Sequence, residues 1–170
     1  PDFIAGWSST FTDKVLRSTE FWNERCVHTY ISQNSDPANR NRTIENEYDD
    51  ILHMGKIFDR EEKAESLVKE MKDEISRTAG QATLTGKHPR GLIIEFMGSD
   101  ISVYGEETLA GDILRRMNGE LLASGQQQIS KEQIIEMDPD AIFVILIEGD
   151  YDHPKQKLDM LYHEQALRDV

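Results

Sequence analysis

Five histidines, one cysteine and a surplus of carboxylates are the residues of this chain that could carry metal or acid–base chemistry. Their spacing does not assemble it. His28, His53, His88, His153 and His163 include no i,i+4 pair and no zinc-type spacing. His53 beside Met54 is the pair nearest to a haem or soft-metal ligand set. Successive helix residues point about 100° apart, however, so the two read as structural. The carboxylate pairs Asp49-Asp50, Glu61-Glu62 and Glu106-Glu107 read as solvated helix faces, and none is singled out as a general acid and base. No Walker A sequence, G-x-G-x-x-G or G-x-S-x-G occurs. The lone Cys26 excludes an internal disulfide and, lying in an apolar run, is expected to be a buried thiol. The chain is therefore read as a non-enzyme with no metal site and no cofactor.

Binding is the chemistry that remains. Open α/β sheets hold ligands at the carboxyl ends of their strands. Four stretches fall there: Trp7 with Ser8 and Ser9, Ser32 with Gln33, Phe96 with Met97 and Gly98, and Tyr104 with Gly105. An aromatic just past a strand end offers a flat apolar face at little rotamer cost, so Trp7 is a candidate platform. Packing against the following helix is the competing role for the same ring.

The elements that position these loops follow from hydrophobic periodicity. Pro1 to Trp7 is a strand entered from a Pro-Asp turn, Asp13 to Glu24 has helical spacing through Val15, Leu16 and Phe21, and Cys26 to Ile31 is β-rich. Strand, helix, strand implies a parallel pair with a right-handed crossover. Ser32 to Arg42 is a polar loop, after which Thr43 caps a helix that should stop near Gly55. Asp59 to Gly80 then reads as one long helix, capped by Asp59 with Glu62 and ended by Gly80, with an apolar stripe of Ala64, Leu67, Val68, Met71, Ile75 and Ala79. Beyond it, Gly91 to Phe96 and Ile101 to Tyr104 are strands. Thr108 to Asn118 is a helix ended by Gly119, Ser130 caps a short helix to about Met137, and Lys155 to Leu167 resembles a last one. Ala141 to Ile147 is a continuous apolar run, expected to be a strand buried on both faces. PDFIAGW and PDAIFVI thus share a Pro-Asp turn feeding a strand, one on each side of the long helix.

The net charge of −13 argues against nucleic acid and anionic membrane surfaces as partners. With 38% hydrophobic and 30% charged residues over 170 positions, the chain has room for one ordinary domain or two small ones. The expected fold class is α/β: two α/β lobes with mainly parallel sheets, residues 1–58 and 81–170, joined by one long helix at 59–80.

These segments, in order, resemble the periplasmic binding proteins of ABC importers for ferric siderophores, haem and cobalamin. PDFIAGW looks like the family's first-lobe strand, and TIENEYDDILHMGKIFDREEKAESLVKEM is similar to its passage of short helix, L-x-x-x-G-K segment and strut. Tyr104 to Leu114 with Asn118-Gly119 resembles the second lobe's loop and helix, and ISKEQIIEMDPDAIFVI its closing helix and strand. The resemblance implies two lobes held by a rigid helix, both incomplete here, with a small-molecule solute (a ferric siderophore, haem or cobalamin) in the cleft and delivery to a membrane ABC permease. It implies an extracytoplasmic location, in the periplasm or lipid-anchored. Candidate wall residues are Trp7, Ser8, Phe96, Met97 and Tyr104. Asp13 and Glu132 match the acidic positions that meet permease arginines, with Asp13 standing where Glu is usual. Gln126 stands where relatives can place another aromatic. A chain lacking the outer strands and helices is expected to expose sheet edges and apolar faces, and so to be either marginally stable or self-associating. The rival readings are an α/β enzyme domain using the same loops, and a sensing or interaction domain with no small ligand.

Overall fold

The computed structural model describes residues 1–98 and 100–146. The chain divides into two compact units, Pro1–Lys72 and a second that begins at Asp73.

The first unit is built on the expected parallel pair. β1 (Phe3–Gly6) and β2 (His28–Ile31) run in register from Phe3 against His28 to Gly6 against Ile31. The crossover between them holds less helix than the periodicity predicts. Beyond a 3-10 turn at Ser8–Thr10, only Thr19–Asn23 is helical (α1), with the Ser18 hydroxyl accepting from Phe21 N at 3.3 Å. Arg17 sits at φ 66°, which ends any helical run through Val15 and Leu16, and its N–H closes a turn on the Thr12 carbonyl. Val15 is consequently exposed. β2 likewise begins at His28 and not at Cys26. Cys26 has φ 57° and closes α1: its N–H bonds the Asn23 carbonyl while Val27 N–H bonds that of Trp22. Its thiol is exposed, which corrects the expected buried cysteine.

α2 (Ile44–Ile57) is capped as expected, by Thr43 accepting from Asn46 N at 3.4 Å, and buries Ile44 and Tyr48. It does not stop at Gly55. Gly55 is a point of close approach, since a Cβ there would stand 2.5 Å from the Ala64 Cβ. The helix runs two residues further, to Ile57, and ends in a Schellman arrangement, with Asp59 N–H to the Lys56 carbonyl and Arg60 N–H to that of Gly55. Asp59, at φ 55°, is therefore the left-handed residue ending α2 and not the cap of the next helix.

α3 spans Glu61–Thr85, longer and later than the predicted 59–80. Gly80 is interior to it, and the left-handed residue after its end is Gly86 at φ 64°. Of the predicted stripe, Ala64 and Val68, one turn apart, are buried. Leu67, at the stripe's edge, is 45% exposed.

The second unit is a five-stranded mixed sheet centred on β3 (Arg90–Met97). β7 (Ala141–Val144) pairs parallel with Gly91–Ile94, and β5 (Glu120–Leu121) parallel with Arg90 and Gly91. β4 (Asp100–Val103) folds back antiparallel on Ile94–Met97, and β6 (Gln128–Ile129) adds antiparallel to β4. Leu92, Ile94 and Phe96 alternate onto one face and form the core with Ile101, Val103, Leu122, Ile129 and Ile134. Among the described residues β7 is covered on one face only, and there in part. Ile142 and Val144 pack on that core while Phe143 is 49% exposed, which corrects the two-sided expectation. Asp140 fixes the entry to β7, its carboxylate accepting from Arg90 N at 2.7 Å.

α5 (Lys131–Met137) carries its predicted cap, Ser130, which forms a full capping box with Gln133, and α4 (Leu109–Arg116) is capped by Thr108, the residue expected to open the helix. α4 turns out of its helix at Asn118 (φ 62°) and not at Gly119. Gly119 is instead needed for space, since a Cβ there would lie 2.7 Å from Leu114 Cδ1. The predicted loop at 149–154 and helix at 155–167 lie outside the described residues. Among the described residues no helix is long and apolar enough to cross a membrane.

Candidate functional site

The first unit brings its two strand-end loops together. Gly6 and Ile31 end the paired strands, so the residues that follow, Trp7-Ser8 and Ser32 to Ser35, leave the sheet side by side. Ser32 N–H bonds the Gly6 carbonyl at 3.0 Å. Ser8 N–H bonds Ser35 Oγ at 2.9 Å, and the Ser8 hydroxyl donates in turn to the Ser35 carbonyl. Trp7 is held between these attachments, yet its side chain stays outside: the residue is 63% exposed. The ring thus does not pack away against the following segment. A large flat apolar surface on a doubly tied backbone is a pre-organised contact for a ligand.

The loop after β2 is anchored on α2. Asn34, 4% exposed, donates to the Thr43 carbonyl (3.0 Å) and Glu47 Oε1 (2.6 Å), and accepts from Thr43 N and Asn46 Nδ2, each at 2.9 Å. Asp50, about two turns further along the helix, accepts from Tyr30 Oη and Ser32 Oγ (both 2.7 Å) and from Gln33 N (3.0 and 3.2 Å). Tyr30 Oη also lies 2.9 Å from His53 Nδ1. Burial first, then the hydrogen bond and negative charge of Asp50, push the Tyr30 phenol well above its ordinary range. At neutral pH Tyr30 is therefore a neutral donor and no anionic metal ligand. Sequence reasoning missed this network because Asp49-Asp50 looked like one more solvated pair. The readable signal was the cluster of donors Tyr30, Ser32 and Gln33 at the end of β2 and in the first residues after it.

In the second unit the candidates separate. Met97 is 59% exposed at the β3–β4 turn. Tyr104 is half-buried; its backbone N–H bonds the Ile93 carbonyl, and its hydroxyl donates to the buried Glu95 at 2.5 Å. Phe96 is 3% exposed within the core, leaving almost no ring to meet a ligand. An apolar groove of about 400 Å³ beside Ala82, Pro89, Leu114, Met117 and Phe143 contains none of the sequence-derived candidates. Asp13 is exposed, with Arg17 3.9 Å away. Glu132 is exposed in the first turn of α5, and the Ser130 hydrogen bond with its own backbone N–H holds its carboxyl below the usual range. Among the described residues no three His, Cys, Asp or Glu side chains gather as a metal cluster.

Two α/β units with ligand-competent strand ends leave the family open. A family model described as "Periplasmic binding protein" matches residues 23–157. The chain belongs to this family. A periplasmic binding protein from Veillonella parvula DSM 2008 is 34% identical in sequence and superposes with a TM-score of 0.91, covering 100% of this chain and 54% of its own. The "Iron-uptake system-binding protein" of Bacillus subtilis (strain 168) is 23% identical over 138 residues, 78% of this chain and 43% of the relative. IsdE of S. aureus, solved as a complex with heme, shares the fold at a TM-score of 0.65 and 19% identity, over 99% of this chain and 65% of its own. This periplasmic binding protein chain thus spans about half the length of the first two relatives.

Proposed function

We propose that this chain is part of an extracytoplasmic solute-binding protein. It captures an iron complex, haem or cobalamin-type solute and hands it to the permease of an ABC importer. The observation that carries the reading is Trp7, exposed on a backbone fixed on both sides, at the strand end where this fold class binds ligands. Two of the relatives, an iron-uptake binding protein and a protein solved with heme, favour an iron-containing solute. On the first unit Trp7 is the contact and Ser8 its backbone anchor. On the second, Met97 and Tyr104 are the contacts, and Phe96 supports them from the core. Asp13 and Glu132 are the acidic groups offered to permease arginines. The role is capture and release, with no bond made or broken. The protein works in the periplasm or lipid-anchored at the cell surface.

Tryptophan fluorescence titration of the full chain with haem, cobalamin and ferric catecholate and hydroxamate siderophores tests this. One of them should quench saturably in the wild type, with affinity at least tenfold weaker in Trp7→Phe, where Trp22 remains as reporter. Absence of saturable binding for every solute would overturn the reading.

A further inference from the structure

Asp50 has no part in the contacts proposed above, yet it gathers more of the first unit's loop structure than any other carboxylate described there. Its Oδ1 accepts from Tyr30 Oη and Gln33 N, and its Oδ2 from Ser32 Oγ and Gln33 N. These bonds join α2, which bears the carboxylate, to the end of β2 and the turn after it, which bear the donors. From there the path continues to Trp7 by two routes. Ser32 N–H bonds the Gly6 carbonyl, one residue before Trp7. The Ser32 carbonyl accepts from both the backbone N–H (2.9 Å) and the hydroxyl (2.8 Å) of Ser35, whose Oγ accepts from Ser8 N, one residue after Trp7. No donor is available at Asp50 itself, so its whole contribution is to orient three donors that converge on it. Charge-assisted bonds of this kind are roughly twice as strong as neutral ones.

We infer that Asp50 is the positioning residue for the Trp7 loop: through Ser32 and Ser35 it fixes the backbone on both sides of the exposed indole. Asn34 anchors the same turn to the start of α2, but from inside; its four bonds reach only Thr43, Asn46 and Glu47 and none leads to β1. Asp50 is the attachment whose partners pass the constraint to Gly6 and Ser8. For solute binding this inference rests on the function proposed above, but the positioning itself is measurable without any solute.

The experiment measures backbone ¹⁵N order parameters at Trp7 and Ser8 in the full chain and in Asp50→Ala, Ser35→Ala and Val68→Ala. Val68 is a buried residue of α3 and serves as a destabilised control without a link to the loop. The wild type should show the values of rigid backbone, about 0.85, and Asp50→Ala and Ser35→Ala should drop both residues below about 0.6. Val68→Ala should lower the melting temperature and leave both order parameters unchanged. Rigid Trp7 and Ser8 in Asp50→Ala would overturn the inference, as would an equal loss in Val68→Ala. Should Asp50→Ala not fold, Asp50→Asn takes its place: its amide turns one acceptor into a donor facing donors, and the same drop is expected. In the titration described above, Asp50→Ala should lose about tenfold in affinity while Trp7 itself is intact. If the wild type binds no solute, the functional reading fails and the order parameters still decide the role of Asp50.

Discussion

Replacing Gly55 by alanine sets two known effects against each other at one site. Gly55 lies in the last turn of α2 with ordinary helical backbone, so alanine should gain about 1 kcal/mol of helix propensity. The new methyl, however, would stand 2.5 Å from the Ala64 Cβ and 3.3 Å from the Arg60 carbonyl oxygen. Carbon atoms in contact need about 3.5–4 Å, so α2 and the start of α3 must move apart by an ångström or more. Overpacking of this kind costs about 1–3 kcal/mol. The net expectation is destabilisation, against the sign that propensity alone predicts. Ala64→Gly removes the obstructing methyl at a cost of about 1 kcal/mol in propensity and about 0.8 kcal/mol for the lost buried carbon. The double substitution should then be more stable than the sum of the singles by about 1–2 kcal/mol. Both tryptophans of the chain, Trp7 and Trp22, belong to the unit that contains Gly55 and Ala64, so urea unfolding followed by their fluorescence reports on the right transition. With an m-value of about 1–2 kcal/mol per molar, the coupling should move the midpoint by roughly 1 M. A stabilised Gly55→Ala, or a cycle additive within about 0.5 kcal/mol, would refute the close-approach argument.

Asn34→Ala strips four hydrogen bonds from a buried side chain and leaves the Thr43 backbone unpaired, so a loss of about 2–3 kcal/mol is expected in the same urea assay. Tyr30 ionises above its ordinary value of 10.0 because it is buried and bonded to Asp50. A folded-state value raised above the unfolded one means that this stabilisation is complete below about pH 10 and fades as pH rises through the folded value. In an alkaline titration at 295 nm the Tyr30 phenol should therefore ionise late, and Asp50→Asn should bring it down while the burial effect remains. Ser130→Ala removes the α5 cap at a cost of about 1 kcal/mol. It should also return Glu132 toward its usual carboxyl range, since the Ser130 hydrogen bond is the largest cause holding it down. A depressed folded value means stabilisation present above the unfolded value and lost as pH falls through the folded one. Carboxyl NMR titration of both proteins checks the direction.

What the sequence made legible and what it hid divide along a physical line. Thr43 and Ser130 were readable as caps because a side-chain oxygen before an apolar stripe has few other roles, and both cap. The parallel β1–β2 pair was readable from the order of its elements. Helix ends were not readable from the glycines chosen for them: α3 does end at a glycine, but at Gly86 and not at Gly80. Cys26, Asp59 and Asn118 take the left-handed positions after α1, α2 and α4, with φ of 57°, 55° and 62°, whereas Gly55 and Gly80 are helical. Asparagine and aspartate tolerate that conformation, and tertiary contact gave the glycines other work. The candidate wall divided similarly: alternation along β3 sends Phe96 to the core with Leu92 and Ile94, a consequence of the period-two rule, while Met97 emerges at the turn. The Asp50 network was hidden because its donors lie on another element, and no local pattern announces a partner seventeen to twenty residues away.

Cys26 has a practical consequence. The sequence contains one cysteine, and the turn after α1 holds it at the surface, outside both paired strands. A thiol-reactive fluorophore would therefore attach at a single position without any mutagenesis. That position lies four residues from Trp22 and in the same unit as Trp7, so the unaltered protein carries a uniquely addressable site for a spectroscopic reporter.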